Sequence, residues 1–220
     1  MGRAAFFIRT FGCPLHCPWC DSAGTWHKDY IPEHVERLTP IQLAEEAATT
    51  GARFAVITGG EPSIHDLSGL VDALHDKNIA VHMETAGCFY KPWMDRLDFI
   101  TVSPKWSQLP LPDVLFMARE LKIIVESPDS INKWFEALKV ICDDPSPLWG
   151  KLQLTLDWWL HPEWTKRNDP AVLQAISDAV KEKPKLYRAG YQLHKLYQVD
   201  SLDSRSKALV PLGGNPALGY

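Results

Sequence analysis

Phe7-Ile8-Arg9-Thr10-Phe11-Gly12-Cys13-Pro14-Leu15-His16-Cys17-Pro18-Trp19-Cys20 is the stretch on which the fold turns. Its apolar first part belongs to a run over 4–10 that reads as a buried strand. The run breaks at Gly12 into a loop that holds three cysteines within eight residues. Such crowding does not suit a disulfide framework; in a reducing compartment it marks a metal-binding or catalytic loop. The same order, an apolar run and then an unusual polar segment, recurs along the chain. Further strands are expected at 54–58, 80–84, 99–103, 120–125 and 152–156. A helix opens at Thr39-Pro40-Ile41-Gln42, where Thr39 and Gln42 form a capping box, and ends at Gly51. A second follows Asp66, with Leu67, Leu70, Val71 and Leu74 on one face, and others are expected at about 131–142 and 170–182.

Strands that alternate with helices imply parallel βαβ units. About six such strands predict an α/β fold of the partial, open TIM-barrel type. One domain is expected over residues 1–220, with an irregular tail from about 196. Chemistry in such barrels collects at the C-terminal ends of the strands. Gly59-Gly60-Glu61-Pro62, Glu84-Thr85-Ala86-Gly87 and Ser103-Pro104-Lys105 all follow strands, so they are expected around one mouth with the cysteine loop. Residues 157–166 stand out as an irregular insert, whose Trp158, Trp159 and Trp164 either face a partner or pack beneath it.

Composition narrows the function classes. A net charge of −4 supplies no global positive field, so neither nucleic acid nor an acidic membrane surface is an expected partner. No apolar run approaches the ~18 residues of a membrane span. Arg9 interrupts the early apolar stretch and no signal-peptide pattern follows, so the expected setting is cytoplasmic. Of the two remaining cysteines, Cys88 lies close to the expected mouth, and Cys142 ends an amphipathic helix as a small hydrophobe.

The spacing Cys-x3-Cys-x2-Cys allows two metals. A structural zinc site wants four ligands, and His16 and His27 lie near. A cubane iron–sulfur cluster is usually held by four thiolates, so three leave one iron open to a further ligand. Thr58-Gly59-Gly60-Glu61-Pro62 favours the second choice: glycines let the backbone approach a ligand, and their carbonyls or the Glu61 carboxylate accept from an ammonium. Read alone, that segment is equally a turn before a helix.

Taken together, the cysteine loop and the Gly-Gly-Glu-Pro segment resemble the signatures of the radical S-adenosylmethionine (SAM) superfamily. Further segments resemble one family within it, the 7-carboxy-7-deazaguanine synthases. These are carbon–nitrogen lyases that turn 6-carboxytetrahydropterin into 7-carboxy-7-deazaguanine with release of ammonia, in the biosynthesis of queuosine and other 7-deazapurines. The resemblance runs from Arg3 to about Lys195. It implies a 4Fe–4S cluster on Cys13, Cys17 and Cys20, and SAM as a cofactor held by Trp19, Cys20, Asp21, Gly59, Gly60, Glu61, Gly87, Ser103, Pro104 and Lys105. Gln153 is a further SAM contact by the same resemblance, although Leu154 stands where the family often has proline. Arg9, Glu84, Thr85 and His194 are implied on the substrate side, His194 being equally readable as a structural histidine. Ser22 stands where the family commonly has threonine and is the implied magnesium ligand. A flavodoxin or ferredoxin as reductant and a homodimer complete what the resemblance implies.

One family feature has no counterpart here. In these synthases a Gln-Gly-Glu-Gly stretch upstream of the first strand binds the pterin, whereas this chain opens with Met1-Gly2-Arg3 in mid-pattern. The leading expectation is a start codon assigned too late. A substrate covered by the C-terminal tail through Tyr220, or a divergent substrate, are the others. Two readings compete with the synthase: another radical SAM enzyme, such as a glycyl-radical activase, and a non-catalytic zinc-binding module.

Overall fold

Capping chemistry sets the first helix. Thr39 Oγ1 accepts from the Gln42 N–H at 3.3 Å, and the Gln42 side-chain oxygen accepts from the Thr39 N–H at 2.8 Å. With proline at its first position, α1 spans Pro40–Thr49, and Gly51 at a φ of +69° ends it. The structure, a computed structural model, describes residues 2–31, 33 and 35–197. The expected tail from about 196 falls outside the described residues beyond Tyr197.

Among the described residues seven strands form one sheet: β1 (Phe6–Thr10), β2 (Phe54–Gly59), β3 (Ala80–Thr85), β4 (Phe99–Val102), β5 (Glu120–Val125), β6 (Asp157–Pro162) and β7 (Tyr187–Ala189). Each strand pairs in parallel with its successor in the chain, and β1 and β7 are the edges, so this is an open, partial barrel. The crossovers carry α1, α2 (Ser68–Asp76), α3 (Pro112–Met117), α4 (Ser130–Ile141), α5 (Pro147–Leu154) and α6 (Pro170–Glu182), and α7 (Leu193–Leu196) follows β7.

Period-two alternation decides what each face does. Ala55 and Ile57, Val81 and Met83, Leu121 and Ile123, and Trp158 and Leu160 lie on one face and are buried in a single core with Leu74, Leu115, Leu138, Leu152 and Ile176 from the helices. The other, concave face is polar. Phe54, His82 and Phe99 stack across its lower end, with centroids 4.5 and 5.1 Å apart. Above them Thr101 donates to Glu120 at 2.8 Å and Arg188 pairs with Asp157 at 3.0 Å. Arg9, Glu84, Lys122 and His161 occupy the same face nearer the strand C-termini, Lys122 two residues beyond the Glu120 that Thr101 pairs with and His161 two beyond the Trp159 opposite Lys122.

The sheet departs from the sequence reading on its far side. Residues 152–156 are no strand: Leu152, Leu154 and Leu156 alternate as a strand would, but most of the segment lies in α5. Ser146 accepts from the Trp149 N–H at 3.1 Å and Pro147 takes the first helical position, so local capping overrides the alternation and leaves Leu154 85% exposed. The sixth strand is instead the supposed insert, and β7 was not foreseen. Trp158 therefore presents no partner surface. It is buried, donates to the Leu152 carbonyl at 2.9 Å, and packs edge-on against Trp149 and Tyr187.

Candidate active site

A cavity opens at the C-terminal ends of the strands and gathers most of the expected residues. Arg9, Cys13, Cys17, Trp19, Cys20, Asp21, Ser22, Gly59, Gly60, Glu61, Glu84, Thr85, Ser103, Lys105 and His194 all line it. Gly87 and Pro104 sit beside it without lining it, Gly87 fixed by an N–H bond to Thr85 Oγ1 at 3.0 Å. Gln153 is not brought to the mouth, because it lies on α5 and not at a strand end. Cys88 does not line it either; it is buried with Leu15 and Ala86 behind Cys13 and Cys17. Burial pushes the Cys88 thiol up to about 12, and that of Cys142 to about 11. Both read as structural.

The cysteine loop is strapped to the end of β2. The Gly60 N–H donates to the Thr10 carbonyl at 3.0 Å and the Glu61 N–H to the Gly12 carbonyl at 2.9 Å. The approach is so close that a Cβ on Gly60 would lie 2.0 Å from the Gly12 oxygen. Cys13, Cys17 and Cys20 are unpaired and half-buried in the common cavity. Burial raises all three thiols, Cys17 to about 11, so taking up a metal centre there releases protons. Among the described residues no three His, Cys, Asp or Glu side chains converge closely enough to hold a single metal ion. The three cysteines share one rim of the cavity with Gly59 and Gly60, which are glycine because the backbone of Thr10 and Gly12 fills their Cβ positions.

Glu61 lines the cavity and also has a structural task. It is 1% exposed, and its carboxylate accepts from the Ser63 N–H at 3.0 Å, the Ser63 hydroxyl at 2.6 Å, the Thr85 hydroxyl at 2.5 Å and the Ala86 N–H at 2.8 Å. Three of these donors meet Oε1 and one meets Oε2, which keeps a further acceptor position. Glu61 therefore staples the loops after β2 and β3. Thr85 is committed with it: its hydroxyl donates to Glu61 and accepts from the Gly87 N–H.

The mouth is otherwise a field of paired charges. Lys122 donates to Glu84 at 2.5 Å. Burial alone would raise the Glu84 carboxyl, but Lys122 more than offsets this, and Lys122 is itself held above its ordinary value by Glu84 against burial. Asp21 bonds to Gln192 at 3.1 Å and pairs with Lys195 at 3.4 Å, which ties the segment after β7 to the cysteine loop. Burial raises the Asp21 carboxyl, yet Lys195, Lys122, Arg9 and His194 together bring it down to about 2. Lys105 reaches back to the carbonyl and hydroxyl of Ser103, at 2.6 and 2.7 Å, and lies 5.4 Å above the Trp19 ring. Arg9 donates to Ser22 Oγ at 2.7 Å, and Ser22 Oγ donates to Asp21 at 3.3 Å. As arranged, this hydroxyl does not fit a magnesium ion, because a guanidinium holds the position a cation would take.

Lys122, His161 and Glu163 belong to no motif, whereas Gln192 stands with His194 and Lys195 in a closing Gln-x-His-Lys run. Lys122 left a signal, a charge on alternate register within the apolar run Leu121-Lys122-Ile123. His161 and Glu163 were hidden in the supposed insert. His161 is 6% exposed; burial, then the charge of Lys122, hold its imidazole down to about 3. The folded state therefore excludes a proton that the unfolded chain binds below ~6.5. Stability rises with pH wherever the unfolded state holds more protons, so His161 costs about 1.4 kcal/mol per pH unit as pH falls from ~6.5 toward that value. His161→Asn is expected to flatten the fall in urea midpoint between pH 7 and pH 5. An unchanged slope would refute the assignment.

Comparisons with known proteins agree with this geometry. Residues 7–103 match the model of the radical SAM superfamily. The chain is 41% identical over 135 residues to the 7-carboxy-7-deazaguanine synthase of a Synechocystis species, a match that spans 61% of this chain and 62% of that protein. It is 30% identical over 198 residues to the enzyme of the same name from Flavobacterium psychrophilum, spanning 90% of this chain and 84% of that one. The crystal structure of QueE from Escherichia coli superposes with a TM-score of 0.66 at 28% identity, covering 87% of this chain and 86% of the other. Streptococcus suis SuiB bound to S-adenosylmethionine shares the fold, with a TM-score of 0.51 at 11% identity over 90% of this chain and 50% of its own.

Proposed function

The chain belongs to the 7-carboxy-7-deazaguanine synthase family of the radical SAM superfamily, and we propose that it carries out that family's reaction, converting 6-carboxytetrahydropterin to 7-carboxy-7-deazaguanine with loss of ammonia. The observation that carries the reading is a shared cavity. The three cysteines and the Gly59-Gly60 cradle face the same space as Arg9, Glu84, Lys122 and His194. One rim suits a cluster and its ligand; the other suits a polar bicyclic molecule that carries a carboxylate.

A 4Fe–4S cluster with SAM supplies the one-electron cleavage that starts the chemistry. The chain's own residues do the rest. Cys13, Cys17 and Cys20 are the cluster ligands. Gly59 and Gly60 present backbone carbonyls to an ammonium, and Lys105 and Ser103 form the adjoining wall with Trp19. Arg9 is the anchor for the substrate carboxylate, to which a guanidinium offers two parallel donors. Glu84 and Lys122 offer an acceptor and a donor side by side, the complement of the amino-oxo edge of a pterin. His194 lies on the remaining side of the cavity. The enclosed barrel mouth holds the reacting atoms close and limits water at a radical centre.

Magnesium at Ser22 requires Arg9 to leave the hydroxyl, and no step is assigned to the metal. A homodimer, a flavodoxin or ferredoxin as electron donor, and a reducing, cytoplasmic setting belong to the proposal on family grounds. Among the described residues no helix is long and apolar enough to cross a membrane. The zinc-module and activase readings are not favoured beside the family match.

The test is anaerobic reconstitution with iron and sulfide, followed by SAM, a reductant and 6-carboxytetrahydropterin, read by mass spectrometry. Carboxydeazaguanine and ammonia in equal amounts are expected. Deoxyadenosine without carboxydeazaguanine would keep the superfamily chemistry and refute the substrate. Gln153→Ala, on α5 and outside the residues that line the mouth, is expected to leave the KM for SAM within about twofold of wild type, since substitutions away from a site usually cost no more than ~0.5 kcal/mol. A tenfold rise would restore Gln153 to the site.

A further inference from the structure

A tryptophan outside every motif discussed so far touches the cysteine loop. The chain after Cys20 makes a single 3-10 turn over Ala23–Thr25. The turn is pinned at both ends: the Thr25 hydroxyl donates to the Ser22 carbonyl at 2.7 Å, and the Gly12 N–H donates to the Thr25 carbonyl at 2.8 Å. Trp26 follows at once and is thereby aimed back at the loop. Its indole N–H donates to Cys20 Sγ at 3.3 Å. On its face lies the ring of His16, stacked with centroids 4.4 Å apart and planes 16° from parallel. His16 holds the left-handed φ of +50° between Cys13 and Cys17, so the stack fixes the orientation of the indole from the cluster side of the loop.

We propose that Trp26 is a positioning residue that raises the reduction potential of the cluster through this hydrogen bond. The inference rests on the cluster reading given above. Cys20 Sγ, a thiol in this structure, is the atom that would bind iron. Adding an electron to a thiolate-ligated cluster increases negative charge on sulfur, and an N–H donor at sulfur favours the more negative state. The Ser22 N–H also donates to this sulfur at 3.3 Å, but it belongs to the backbone and persists under substitution. The indole is therefore the adjustable donor at Cys20.

Two variants separate the hydrogen bond from packing. Trp26→Phe keeps an aromatic ring under His16 and loses the donor. Replacement of Trp26 by benzothienylalanine keeps the bicyclic shape and exchanges only the N–H for sulfur. Each is reconstituted anaerobically in the full chain, without substrate, and its midpoint potential is read from the EPR signal of the reduced cluster. In both, the reduction equilibrium is expected to move about tenfold against the reduced state, a fall of ~59 mV for one electron. Iron and sulfide content should stay at wild-type level. A merely structural tryptophan would alter cluster content in the phenylalanine variant and leave the isostere's potential in place. If the isostere's potential is within twofold of wild type in equilibrium terms, the proposal is overturned, whatever the phenylalanine variant does. If the wild-type chain takes up no cluster, the site reading fails first and this proposal with it.

Discussion

Lys122→Met is expected to lower kcat/KM for 6-carboxytetrahydropterin about a hundredfold while leaving the cluster and its spectrum intact. Methionine matches the lysine stem in length and apolar character, so the packing of β5 survives. What disappears is the cation that holds Glu84 ionised at 2.5 Å and helps to depress Asp21. Truncating one partner of a buried, hydrogen-bonded charge pair that meets a ligand costs about 2–5 kcal/mol of binding free energy. Lys122 and Glu84 are 22% and 31% exposed, and solvent screening reduces that figure to about 3 kcal/mol. At 1.4 kcal/mol per factor of ten, this is roughly a hundredfold. Adding Glu84→Gln should return part of the loss, because the orphaned carboxylate goes with it, and a coupling of 0.5–3 kcal/mol is ordinary for residues in contact. Steady-state kinetics on the two single variants and the double variant close the cycle. Wild-type kcat/KM in Lys122→Met would remove the pair from substrate recognition.

The sequence announced the near half of this barrel and obscured the far half for physical reasons. The cysteine loop, Gly59-Gly60, the strand over 120–125 and the capping box at Thr39 express local chemistry: ligand spacing, backbone freedom, apolar runs and a reciprocal cap. Each survives in the structure. The far half depends on competition between local signals. Leu152, Leu154 and Leu156 alternate as a strand does, yet the Ser146 cap and Pro147 recruit most of that segment into a helix. The next residues then had to supply the strand, and their two tryptophans, histidine and proline masked an ordinary buried β-run. The inner charges were hidden for another reason. A lysine in a strand says only that one face is polar. Which carboxylate it meets follows from the registers of β3 on β4, β4 on β5 and the curvature of the open barrel, and those are properties of the assembled sheet. Glu61 is legible from its motif, but its link to Ser63, Thr85 and Ala86 is not, because a motif names a residue without the donors around it.

Glu61→Gln is expected to cost about 3 kcal/mol of folding stability, and the loss should appear before any ligand is added. The glutamine oxygen can still receive Ser63 and Thr85, but its NH2 then faces the Ala86 N–H, donor against donor, at a position 1% exposed. An orphaned buried donor costs about 1–3 kcal/mol, and bonds to a charged acceptor exceed those to a neutral one. A typical domain holds only 5–15 kcal/mol in all, so the urea midpoint should fall visibly. The loops after β2 and β3 would part, and with them the strap that places Gly60 against Gly12. A direct contact between Glu61 and SAM gives the opposite pattern, a wild-type urea midpoint with a raised KM for SAM. Urea unfolding of the cluster-free chain, paired with SAM cleavage by the reconstituted enzyme, separates the two. A full wild-type midpoint would reassign the carboxylate from the staple to the ligand.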